Sequence, residues 1–134
     1  MRKVYQVLGV LGGILLLLSG LAHSAIGWAK LRQVLAPTNI PVDVSAGLAV
    51  PWHLAGMGMI FGGILGILTF TLLRNAKTEM FIVQTILAVC YIGFGIWGLA
   101  FVKLDPGFAI FMLPGILILV GALGVRTMAA GSTA

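Results

Sequence analysis

Charge is scarce in this chain, and acid is scarcest. Of 134 residues, eight are Lys or Arg, three are Asp or Glu, two are His and one is Cys. The carboxylates, Asp43, Glu79 and Asp105, all fall in or beside the breaks between long apolar runs. Proton-coupled carriers ordinarily need a carboxylate within the membrane, so this distribution argues against a small multidrug-type exchanger. One cysteine excludes an internal disulfide; Cys90 sits near the middle of an apolar run and is expected to be a buried, inert thiol. No Ser-His-Asp, Cys-His or H-x-x-x-H arrangement occurs, and Ser24 projects about 100° away from its neighbour His23 on a helix, so nucleophilic hydrolysis is not expected. Every dense glycine cluster is inside an apolar run, which leaves no glycine-rich phosphate loop. The longest polar connection, from Lys30 to about Ser45, is too short to build a soluble domain with its own core.

What is present is hydrophobic. Sixty per cent of the chain is apolar, 8% is charged, and the mean hydropathy is +1.16. Burying so much apolar surface needs lipid as solvent. Apolar runs at about 4–29, 46–73, 80–102 and 107–125 each have the roughly 20 residues that cross a bilayer as a helix. The expectation is an all-α, polytopic integral membrane protein: one transmembrane domain over 1–134, a four-helix bundle with short loops.

The N-terminus has features of a secretory signal, with Arg2 and Lys3, the run Val7 to Leu18, then Ala22-His23-Ser24. Its apolar character continues through Ile26 and Trp28, longer than a signal core, so the segment is read as a retained first helix. Arg2, Lys3, Arg74, Lys77 and Arg126 then fall on the side of the termini, against Lys30, Arg32 and Lys103 on the other. That modest bias leads to the expectation that both termini are cytoplasmic. The formal charge is +5, but the basic residues are spread over loops. Anionic lipid headgroups are the expected partners, and nucleic acid is not.

Glycine is packing material here. Gly9, Gly13, Leu16, Gly20, His23 and Gly27 follow four-and-three spacing and share one face of helix 1, so His23 points at a neighbouring helix. Helix 2 has two such faces: Gly58, Gly62 and Gly66 on one, and His53, Gly56, Ile60, Gly63 and Ile67 nearly opposite. One face suits the internal bundle and the other a second protomer or partner. The alternative is that both pack inside one compact monomer with helix 2 central. Helix 3 aligns Gln84, Ala88, Tyr91, Gly95, Gly98 and Val102, and its Gln84 amide and Tyr91 hydroxyl need partners because lipid offers none. Pro114 in helix 4 removes the hydrogen bond to the Ile110 carbonyl and is expected to kink it. Between helices 1 and 2, Trp28 to Leu35 suits a short amphipathic continuation in the interface, and either a further turn of helix precedes Pro51 or Pro51 is the first residue of the spanning helix 2.

The two histidines carry the best functional clue. His23 lies 21 residues after Arg2 and His53 lies 21 before Arg74, so both are about 31 Å from the terminal boundary at about 1.5 Å per residue. Trp28 and Trp52 flank them at that level, where aromatic belts form. Three readings follow. In the first, the neutral imidazoles hydrogen-bond across helices 1 and 2, or to loop carbonyls and Asp43, and hold the hairpin together. In the second, His23 and His53 are axial ligands of one haem, with Lys30 or Arg32 at the propionates and room for the macrocycle beside Gly20, Gly27 and Gly56. The third is a metal ion, with Asp43 or Asp105 completing a zinc site, or Met57 joining His53 on copper(I).

The first helix, reading Leu8-Gly9-Val10-Leu11-Gly12-Gly13, then Leu18-Ser19-Gly20-Leu21-Ala22 and ending near Lys30-Leu31, resembles the small DoxX-like bacterial inner-membrane proteins. The likeness covers most of the chain through generic glycine and leucine patterning. It implies four helices and, for some members, roles tied to quinone-linked redox complexes, without a residue motif to carry over. The expected function is an accessory or scaffold subunit, not an enzyme by itself, that associates through Gly58, Gly62 and Gly66 as a homo-oligomer or in a membrane complex. The alternative is a haem- or quinone-interacting redox protein using His23 and His53 with Tyr91 as hydrogen-bond donor. A small-molecule channel or carrier comes third.

Overall fold

The structure, a computed structural model, describes residues 1–71, 78–101 and 108–130. Arg2–Ala22 forms α1, His23–Gly27 a π-turn, Trp28–Leu35 α2 and Ala36–Thr38 a 3-10 turn. Together these make one helical rod of 37 residues. Then come α3 (Val42–Thr71), α4 (Thr78–Phe101) and α5 (Ala109–Ala130), with no strand among the described residues. Four helical segments are long and apolar enough to cross a membrane. The chain is an integral membrane protein with an all-α, four-helix bundle.

The connection between the first two spanning segments is far shorter than expected. The first rod runs on through the expected continuation Trp28–Leu35 to Thr38, and α3 begins at Val42, earlier than the expected residue 46, with Pro51 inside it. What ends the rod is local. Asn39 adopts a left-handed conformation (φ 50°), which a short polar side chain tolerates and which stops a helix. Before it the Thr38 hydroxyl donates to the Leu35 carbonyl at 2.6 Å, and after it the Ser45 amide donates to the Pro41 carbonyl at 3.0 Å. Pro51 leaves the Gly47 carbonyl without its helical partner, and Gly47 has open space beside it. The expected helix limits at residues 73, 102 and 107 lie outside the described residues, as do Arg74, Lys77, Val102, Lys103 and Asp105.

At about 1.5 Å per residue the first rod is about 55 Å long and α3 about 45 Å, against a hydrocarbon core of about 30 Å. α4 and α5, with 24 and 22 residues, roughly match that thickness. The hairpin made by α2 and the first turns of α3 therefore rises beyond the hydrocarbon at the end opposite the termini.

α1 and α5 each have two close neighbours, α1 packing against α3 and α5, and α5 against α1 and α4, while α4 barely meets α3. Small residues set these approaches. A Cβ on Gly63 would lie 2.6 Å from the Leu17 amide nitrogen and 2.7 Å from the Gly13 carbonyl oxygen, and one on Gly20 would lie 2.6 Å from the Gly56 carbonyl oxygen. On the opposite flank, Gly12 faces the Pro114 carbonyl and Gly121 the Tyr5 carbonyl, each 2.8 Å from the added atom. Close backbone approach of this kind supplies dispersion energy where lipid removes the hydrophobic drive. Leu16, Pro114 and Ile118 are fully enclosed at the middle.

The glycine triplet of α3 is used differently from the expected interface. Gly62 packs against Leu16, Leu87 and Tyr91, and Gly66 against Gly13, Leu87 and Ile118, so both are buried within the chain. Only Gly58 has open space beside it. Gly62 and Gly66 of this face thus serve the internal bundle, and α3 is flanked closely only by α1. On α4, Gln84, Ala88, Gly95 and Gly98 are buried together as their spacing requires. The Tyr91 hydroxyl donates to the Gly58 carbonyl at 3.2 Å. Cys90 corrects an expectation: its thiol is exposed. It is two residues, about 200° of helix, from the buried Ala88; being mid-membrane does not place a residue on the packed face.

Candidate functional site

The feature with chemical content is where the rod passes α3 at the level of the π-turn. His23 opens the π-turn, so its carbonyl accepts the Trp28 amide five residues on. The same carbonyl accepts the Trp52 indole Nε1–H at 2.9 Å. The Trp52 ring lies nearly flat on the His23 imidazole, with centroids 4.3 Å apart and planes at 11°. Trp28 tilts against both Trp52, at 6.3 Å, and His53, at 5.4 Å. Two indoles are thus interleaved with two imidazoles, and all four side chains are half-buried. The ring contacts link His23 to His53 through Trp52 and Trp28.

Small residues let these rings meet. A Cβ on Gly27 would lie 3.0 Å from the Trp52 ring, and the place of a Gly56 side chain is taken by the Ser24 hydroxyl. A π-turn adds one residue to the helical repeat, turning the residues beyond it by about 100° relative to a continuous α-helix. That brings Trp28 onto the side of His53.

The imidazole nitrogens are unusual. Nε2 of His23 is buried and without a hydrogen-bond partner. No hydrogen bond joins the two imidazoles to each other among the described residues; the hydrogen-bonding group beside the His23 side chain is the backbone of Trp52. Trp52 also ties the hairpin, through its ring and through its Nε1–H on the His23 carbonyl. A buried polar atom left unpaired costs about 1–3 kcal/mol and calls for a specific explanation.

The residues do not fit a haem between His23 and His53 in this packing. Indole rings occupy the space next to both imidazoles. The expected room beside Gly20, Gly27 and Gly56 is filled by Ile60, Trp52 and Ser24. A metal fares no better: no group of three His, Cys, Asp or Glu converges among the described residues. Asp43 stands ten residues before His53 on the same helix, about 15 Å away, and Met57 points outward, half exposed. Asp105 lies outside the described residues. Lys30 and Arg32 are exposed on α2, seven and nine residues beyond His23 and so about 10–14 Å further along the rod. Tyr91 is on α4, bonded to Gly58, and is not among the rings around His23.

Sequence reasoning placed the histidines and tryptophans at one depth but missed their interleaving, the π-turn and the indole bond to the His23 carbonyl. The nearest signal was Trp52 beside His53, one helical step apart, facing a Trp28 of matching depth. No family model, curated protein or solved structure matches the chain.

Proposed function

We propose that this protein is a small accessory subunit of a membrane redox system, which holds a quinone-class headgroup at His23 and His53 for a partner enzyme. The observation that carries this reading is the buried, unpartnered Nε2 of His23 beside stacked indoles. A quinone is flat, dissolves in lipid and presents carbonyl oxygens. Imidazole N–H groups donate to such oxygens, and indole faces stack on such rings. Admitting the headgroup requires the Trp28 ring, tilted against Trp52 and His53, to swing aside. The likeness to DoxX-like proteins points the same way. In this reading the membrane is a bacterial inner membrane and both termini are cytoplasmic. Support comes from the five basic residues on the terminal side against three on the other.

The test uses the Trp97→Phe protein in nanodiscs, so that Trp28 and Trp52 report. A short-chain naphthoquinone is expected to quench them with saturation, and His23→Ala to weaken the apparent affinity up to about tenfold, the value of one buried hydrogen bond. Linear quenching that is indifferent to both His23→Ala and His53→Ala rules the reading out. A Soret band in the same purified sample returns the site to haem.

A second reading, a purely structural scaffold, rests on α3. Leu54, Gly58, Phe61, Leu65 and Leu68 follow four-and-three spacing and remain exposed. A complex that disperses with Gly58→Leu while the isolated chain stays folded favours it.

A further inference from the structure

We propose that Arg32 seats the phosphate of an anionic phospholipid headgroup at the hairpin end of the bundle. Two grooves meet at this side chain. One, of about 380 Å³, runs between α2 and the start of α3, with Leu35, Asn39, Ile40 and Ser45 in its walls. The other, of about 400 Å³, lies along α2 past Ala29, Gln33 and Ala36. Arg32 is the one charged residue lining either. It has no ion pair among the described residues, and the exposed Asp43 lines neither groove.

Depth and lining identify the ligand. Arg32 is 30 residues beyond Arg2 along one helical rod, hence about 45 Å, and a bilayer with its headgroups measures about 40–45 Å. The guanidinium fork matches two phosphate oxygens, and the amides of Asn39 and Gln33 and the Ser45 hydroxyl add neutral donors around it. These donors would serve a free phosphate as well, but Leu35, Ala36 and Ile40 beside them suit the glycerol and upper chains of a lipid. Trp28, four residues before Arg32, shares its face of the helix, so acyl chains hanging from a seated headgroup pass that indole. Lys30 is about 200° around the helix from Arg32 and lines neither groove. Arg32 is thereby distinguished from a general attraction of basic residues to an anionic surface.

That difference supplies the test. The Trp97→Phe protein is placed in phosphatidylcholine vesicles, and either brominated phosphatidylcholine or brominated phosphatidylglycerol is titrated in while Trp28 and Trp52 fluorescence is read. The brominated anionic lipid is expected to quench at about fivefold lower fraction, the worth of one basic residue near an anionic headgroup. Arg32→Gln should abolish that preference, Lys30→Gln should keep it and Arg32→Lys should retain part of it. Circular dichroism checks that each variant is helical. Equal quenching by the two lipids, or equal loss in Lys30→Gln and Arg32→Gln, overturns the proposal. Inorganic phosphate should leave the quenching unchanged; if it displaces the lipid, the site takes a free phosphate anion and the lipid assignment fails.

Discussion

Trp52 grips His23 twice, its ring 4.3 Å above the imidazole and its Nε1–H bonded to the His23 carbonyl at 2.9 Å. One side chain of α3 thus fixes both the backbone of the π-turn and the ring that follows from it. The grip is at the level where the rod leaves the hydrocarbon, so it governs how the hairpin end is held.

Trp52→Phe keeps an aromatic face and removes the donor. The His23 carbonyl still has the Trp28 amide, so the expected loss is about 1 kcal/mol or less. Trp52→Leu also removes the stack and should cost a further 0.5–1.5 kcal/mol or so. Detergent-denaturation curves followed by circular dichroism read both. Equal losses in the two variants would mean that the stack contributes nothing.

Glycine positions separate by what surrounds them. Gly63→Ala presses a methyl group against backbone atoms of Gly13 and Leu17 that have no room to yield, and should destabilise by about 1–3 kcal/mol. Gly93 has nothing near its missing Cβ, so Gly93→Ala should stabilise, by up to about 1 kcal/mol, through helix propensity. The same denaturation assay gives the sign of each. A neutral Gly63→Ala would show that α1 and α3 are packed less closely than this.

Tyr91→Phe removes the hydroxyl that joins α4 to the Gly58 carbonyl of α3. Interhelical hydrogen bonds in membranes average about 0.6 kcal/mol, so overall stability should barely change. Because α3 and α4 touch at so few places, the effect should appear as faster hydrogen exchange in both helices near these residues. Unchanged exchange there would show that the Leu87 contacts with Gly62 and Gly66 suffice.

Much of the fold was legible because membrane helices announce themselves by length and apolarity, and because small residues at four-and-three spacing must face a partner. Gly13, Gly20 and Gly63 on one seam and Ala88 with Gly95 on another follow directly. Helix limits near the hairpin were only partly legible: the amphipathic pattern of Trp28 to Leu35 continues the helix, but a helix that has already formed its hydrogen bonds runs on into water until a residue such as Asn39 turns it. Burial within a run was equally hidden, and Cys90 was misjudged because depth says nothing about rotation.

The sequence by itself determined that the chain lives in lipid, that it crosses four times, and that two histidines and two tryptophans share a level. Those are one-dimensional properties, set by hydropathy and by the fixed rise of the helix. Only the tertiary structure decided that α1 and α5 are the inner pair, that Gly62 and Gly66 pack inward, and that indoles come between the imidazoles. These depend on the rotation of each helix about its axis, which a single π-turn at His23 resets and which only the packing of α1 against α3 makes definite.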